Sequence, residues 1–325
     1  MSAARKGPLF LFMKTSILHN IVRNSLDSIS EYYKSVTMEK LLQTGEQHEK
    51  IISKIELYFS RHGEKQKGDG RPNEEIELTE KGIEQAREGS EGKDMSHSLA
   101  FGSSSKRTQQ TAGFKMAGNL DDITGKESLA ELREKLDKDL KVGSKIGVDR
   151  RLNPGEFSET NYDKVADEAF STMGYLKFLV EQSDELAKQL SDSKAETYSR
   201  MASRIAGIVE KYIEIAPRWD VLVRDDQKKY SDTLKRFLST HQGIGESFLA
   251  KVIEKTHGIE TRDAFVAALD NQGFEFAEGF QVQLKNTSQG TLEIEVSFRK
   301  EKDGKTSFEY NGVVSQDIIR AIASD

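Results

Sequence analysis

Arg61-His62-Gly63, Ser105-Lys106-Arg107 and Thr240-His241-Gln242-Gly243 are three short polar stretches, each placed just after an apolar run. If those runs are neighbouring strands of a parallel sheet, two arginines and two histidines converge on one crevice at its carboxyl edge. A dianionic phosphoryl group needs such surroundings: guanidinium forks, positive charge and main-chain N–H groups. Gly63 and Gly243 would let the main chain approach the anion closely. Helices opening after each strand would add the positive ends of their dipoles. A neutral imidazole in that cage can attack phosphorus, dividing the reaction into phosphorylation of the protein and hydrolysis of the phosphorylated form.

The elements that must position these groups are legible from periodicity. Ile55, Leu57 and Phe59 alternate with Glu56 and Tyr58, predicting a strand that runs into Arg61. Thr79 is the expected N-cap of a helix through Ala86. A short strand at 98–102 ends in Ser103-Ser104-Ser105 and gives way to a helix over 106–117. Helical patterns cover about 126–141 and about 160–216, the latter with breaks near 191–193 and at Pro217. A strand at 236–240 leads through His241 to a helix at 246–256. Residues 280–284 and 292–298 alternate with period two about a turn at 286–290, predicting an antiparallel hairpin at a sheet edge. This order predicts an α/β chain with one domain over 51–325, in which 160–235 is a helical insertion or cap. Residues 1–50, with Ile17, Ile21, Leu26, Ile29, Tyr32 and Tyr33 at helical spacing, form an N-terminal helical extension, either a docking or dimerisation arm or a cover on the main domain.

Composition narrows the chemistry. The chain has 325 residues, 54 acidic and 48 basic, with a net charge of −6. That balance argues against a general nucleic-acid binder, which carries a basic face. There is no cysteine, which excludes a disulfide framework, a thiolate-held zinc and a thiol nucleophile. His19, His48, His97 and His257 show no paired spacing for a metal. The apolar run at 8–13 is too short to span a bilayer and lacks a cleavage pattern, so a cytoplasmic location without membrane attachment is the expectation.

The motifs go further than the spacing. Phe59-Ser60-Arg61-His62-Gly63-Glu64 resembles the RHG motif of the histidine phosphatase superfamily, whose phosphoglycerate mutase-like members share it. Leu78-Thr79-Glu80-Lys81-Gly82 with Gln85-Ala86 is similar to the LTxxGxxQA element that follows it. Ser103 through Ala112 resembles the SSxxxRxxQTA segment, and Ser239-Thr240-His241 the late second histidine. The four elements span about residues 54 to 300 in family order. The resemblance implies a three-layer α/β/α sandwich with a mostly parallel sheet, His62 as the nucleophile that becomes phosphohistidine, and Arg61, Arg107 and His241 as the groups that grip the phosphate. No cofactor or metal is implied.

The proton donor to the leaving oxygen is expected on the loop after a third strand ending near 148–152. There Leu152-Asn153-Pro154-Gly155-Glu156-Phe157 resembles the family's acid region, with Pro154 standing where Glu is expected. Glu156 is the choice, with Glu127, Glu131 and Glu134 as substitutes. The activity implied is a metal-independent phosphomonoesterase acting on a phosphorylated small molecule or phosphoprotein, with a homodimer as a candidate assembly. A mutase is the second enzyme reading, although Lys65 and Gly68 stand where the glycolytic mutases' RHGxSxxN pattern has Ser and Asn. A phosphate-binding scaffold without turnover is the third.

Overall fold

The computed structural model describes residues 50–88, 97–138, 140, 142–155 and 160–325. The expected N-terminal extension lies outside the described residues. Seven strands form one sheet: β1 (Ile51–Arg61), β2 (Ser98–Gly102), β3 (Ile146–Val148), β4 (Thr233–Thr240), β5 (Gly279–Thr287), β6 (Leu292–Lys302) and β7 (Lys305–Val313), in the spatial order β3-β2-β4-β1-β5-β6-β7. The first four in that order run parallel, and β1/β5, β5/β6 and β6/β7 are antiparallel. The expected α/β sheet is present, and mostly parallel describes it only loosely, since three of its six pairings are parallel and three antiparallel. The β5/β6 and β6/β7 pairings follow from the short connections between those strands. The turn at Asp303-Gly304, both with positive φ, suits a two-residue hairpin, and tight hairpins join only antiparallel neighbours.

Helices cover both faces of the sheet. On one side lie α1 (Glu80–Arg87), α2 (Lys106–Ala117) and α3 (Leu129–Asp137), whose apolar residues join Ala100 and Ile146 in a core of their own. Thr79 caps α1 by accepting the Gly82 N–H at 3.0 Å, as its sequence position predicts. On the other side Ile55, Leu57 and Phe59 of β1 pack into a larger core. There they meet α6 (Tyr198–Asp225) and α7 (Ile244–His257). Between β3 and β4 the chain is helical almost throughout: α4 (Tyr162–Thr172), α5 (residues 175–189, whose middle turn at Leu179–Ser183 is a π-helix) and α6. After α7 come α8 (Ile259–Ala268) and, at the C-terminus, α9 (Gln316–Ser324).

The break expected at Pro217 does not occur, because α6 continues through it to Asp225. Pro217 removes one main-chain donor, but Ile208, Val209, Tyr212, Ile213, Ala216, Trp219 and Val223 are all buried along one face of that helix. Each large side chain in that row stabilises the folded chain by roughly 1.5–3 kcal/mol relative to exposure. Together they outweigh the roughly 3 kcal/mol that an interior proline costs.

Candidate active site

β1 and β4 pair in parallel with Arg61 opposite Thr240, so the next residue of each strand, His62 and His241, leaves the sheet beside its counterpart. The His62 N–H donates to the Thr240 carbonyl at 3.0 Å. The two imidazole centroids are 5.4 Å apart, with the rings inclined at 70°. β2 pairs with β4 so that Gly102 faces Ser239, which brings Ser103 alongside His241. Arg107, in the first turn of α2, places Nη2 3.5 Å from His241 Nδ1. The Arg61 guanidinium lies 4.5 Å from the Phe276 ring centroid, and that ring is 6.0 Å from His62. The four groups expected from the sequence thus gather where the parallel strands end.

The protonation state of His62 follows from its partner. Its Nδ1 lies 2.7 Å from the Gly63 carbonyl oxygen. A carbonyl only accepts, so Nδ1 carries the proton and Nε2 the lone pair. The ring is also held neutral. Burial drives its pKa down to about 3, and the cations of Arg107, Arg61 and Lys65 act in the same direction, against the Gly63 hydrogen bond. His62 therefore presents an unprotonated nitrogen over the whole neutral range.

A stability consequence follows. The folded pKa is below the usual 6.5, so between about pH 6.5 and 3 the unfolded chain binds a proton that the folded chain does not. Stability contributed by neutral His62 is present above 6.5 and lost as the pH falls toward 3. Compared with His62→Gln, the wild-type Tm should fall more steeply on acidification through that window. Parallel Tm curves would show that His62 is not held neutral.

Both arginines are anchored at one end and incompletely bonded at the other. Arg61 Nη1 donates to the Phe274 carbonyl and Arg107 Nη1 to the Asn73 carbonyl, each at 2.6 Å. The Nε atoms of both are buried without a hydrogen-bond partner, and burial lowers both pKa values. Desolvated guanidinium groups with open donors suit an anion that arrives later.

The two glycines expected to bring main chain to the anion serve other contacts. The Gly63 N–H donates to Thr111 Oγ1 at 3.0 Å and the Gly243 N–H to Glu246 Oε2 at 2.9 Å. A Cβ at Gly63 would lie 2.3 Å from the Gly82 carbonyl oxygen, and one at Gly82 would lie 2.1 Å from that of Glu64. These glycines let α1 close against the loop that follows the nucleophile. Gly243 has φ 92°, and a Cβ there would meet Tyr175, Leu179 and Met201 of the helical segment. Glu246, fully buried at the start of α7, also accepts the Phe274 N–H at 2.9 Å. It therefore ties the His241 loop to the chain that holds Arg61.

Glu156 lies outside the described residues. The chain leading to it is fixed close by: Asn153 Oδ1 accepts the Ser104 N–H at 2.8 Å, and Thr240 Oγ1 donates to the Leu152 carbonyl at 2.8 Å. Two of its substitutes are held ionised elsewhere. Burial raises the Glu127 pKa, but Lys135 and the Thr124 N–H outweigh it and set the value at about 2. Glu131 closes a capping box with Ser128 at the start of α3, and the Ser128 hydrogen bonds lower its pKa. A carboxyl so firmly deprotonated has no proton to give at neutral pH, so neither fits the acid role. Glu134 is exposed on α3.

Several groups at the site escape sequence reasoning. Arg204 of α6 acts on His241, as does Lys65, which the sequence offers as a basic residue near the mouth, while Phe276 and Glu246 come from the second half of the chain. Ser103 was visible only as part of a serine run.

The amino-terminal part of this arrangement has known relatives. Residues 57–136 match the model of the histidine phosphatase superfamily (branch 1). That segment carries His62, Arg107 and the Gly63/Gly82 contact, and by it this part of the chain is similar to that superfamily. No curated protein matches the chain. Among solved structures, it is similar to a mycobacterial glucosyl-3-phosphoglycerate phosphatase, at 14% identity over 75% of this chain and 96% of that one, with a TM-score of 0.40. It is also similar to the phosphoserine phosphatase of Entamoeba histolytica, at 15% identity over 74% of this chain and 94% of that one, with a TM-score of 0.33.

Proposed function

We propose that the chain is a phosphomonoesterase working through a phosphohistidine, without a metal ion, on a phosphorylated small molecule or phosphoprotein. The observation that carries this reading is the His62 tautomer. The proton on Nδ1 is tied to the Gly63 carbonyl, which leaves Nε2 free to attack phosphorus beside Arg61, Arg107 and His241. In the first step Nε2 forms a bond to phosphorus as the ester oxygen departs with its electron pair and takes a proton from Glu156. In the second step water displaces the imidazole and releases phosphate. The guanidinium groups neutralise the equatorial oxygens in both steps. Residues 51–325 form the catalytic domain in this reading. Within it residues 160–235 form a cap that governs access, a role supported by the packing of Tyr175, Leu179 and Met201 against Gly243.

The test is hydrolysis of p-nitrophenyl phosphate by the purified chain with EDTA present. Turnover should persist, and quenching in alkaline detergent during turnover should trap an acid-labile, base-stable phosphoryl group on the protein. Activity that EDTA removes, or turnover with no trapped phosphoryl group, would refute the mechanism.

A further inference from the structure

We propose that Ser103 is a positioning residue that fixes the tautomer of His241, so that a phosphate dianion enters this site together with a proton. The inference rests on the phosphate-binding reading above and adds a proton count to it.

The hydrogen-bond chain around Ser103 closes in only one way. Thr108 Oγ1 donates to the Ser105 carbonyl at 2.7 Å, which uses its only proton. The 2.9 Å contact between Ser103 and Thr108 must therefore carry the Ser103 proton. Ser103 Oγ has two remaining sites, both acceptors. One takes the Ser105 N–H at 3.1 Å. The other faces His241 Nε2 at 2.9 Å, so Nε2 must hold a proton. The opposite side of the ring agrees independently. Arg107 has only donors to offer, and its Nη2 lies toward His241 Nδ1, which must then be the lone-pair nitrogen. His62 and His241 consequently have opposite tautomers, Nδ1–H in the first and Nε2–H in the second.

His241 is held neutral. Among the described residues, the titratable and charged groups that act on it are His62 at the end of β1, Lys65 beyond it, Arg107 of α2 and Arg204 of α6. The charged ones among them are all cations. Burial and these groups together push its pKa well below the usual value. A phosphoryl oxygen arriving beside Arg107 meets the bare Nδ1, and two lone pairs repel each other. Nε2–H cannot release its proton to relieve this, because Ser103 has no proton left to return. One proton from solvent must settle between Nδ1 and the phosphoryl oxygen, where the dianion's charge stabilises it.

The experiment uses the full chain and inorganic phosphate as probe. Calorimetric titrations in mildly alkaline buffers of differing ionisation enthalpy count the protons taken up when the dianion binds. Wild type should take up about one proton per phosphate. Ser103→Ala removes the acceptor, allowing the ring to carry its proton on Nδ1 and donate directly, so uptake should vanish. Thr108→Val should do the same with Ser103 still present, because the freed Ser103 proton then turns to His241 Nε2. A purely structural serine would not respond to Thr108→Val in this way. Nitrogen-15 shifts of wild-type His241 should show Nε2 protonated and Nδ1 bare before phosphate is added. Phosphate binding without proton uptake by wild type, or equal uptake by all three proteins, would overturn this inference while leaving the phosphatase reading intact. Absence of phosphate binding altogether would overturn both.

Discussion

His62→Ala should reduce hydrolysis of p-nitrophenyl phosphate by at least about 10⁴-fold, the scale seen when a covalent nucleophile is removed, and should abolish the trapped phosphoryl-protein. No second group can take over. Among the described residues His241 is the only other imidazole at the site, and its Nε2 is bonded to Ser103 while its Nδ1 faces Arg107. The chain has no cysteine. His62 itself is buried at 7% exposure, so the substitution also leaves a small void. A Tm measurement on the variant separates that loss from the catalytic one. A folded His62→Ala protein retaining activity within tenfold of wild type would remove His62 from the nucleophile's role.

The second large effect is expected at Arg107. Arg107→Ala should lower kcat/KM by roughly 10²–10³, or about 3–4 kcal/mol, the usual size when one donor to the developing charge is lost. Arg107→Lys should recover only a small part. An ammonium supplies the charge but not the planar fork. The Arg107 fork is used at both ends, with Nη1 on the Asn73 carbonyl and Nη2 directed at His241. A lysine can satisfy one of these contacts or reach the phosphate, not both. Steady-state kinetics on the three proteins decides the point. Full recovery by lysine would mean that Arg107 acts as a bare charge.

The sequence revealed the site wherever function and local structure coincide. Arg61 ends a strand, His62 and His241 follow one and Arg107 lies in the first turn of a helix, and strand alternation with helix capping is a local signal. The limits of β2 and α2, at 98–102 and 106–117, agree with that pattern. What stayed hidden was decided by distant parts of the chain. Arg204 is one basic residue on a 28-residue helix, and only the packing of α6 brings it toward His241. Phe276 and Glu246 meet Arg61 through contacts across the sheet. β7 escaped notice because Lys305, Thr306, Ser307 and Glu309 face water along an edge strand, which erases the apolar half of a period-two pattern. Pro217 misled because a local helix-breaking rule was overridden by a buried face that becomes apparent only after folding.

The back-to-back contact of Gly63 with Gly82 sets a direction for remodelling the pocket. Neither position can acquire even a methyl group without pushing two main-chain segments apart, and a shift of either would carry the attacking nitrogen off line. Variation that reshapes the cavity while preserving attack geometry therefore has to leave this contact intact and enter elsewhere. A library directed at the glycine contact should yield mostly inactive protein.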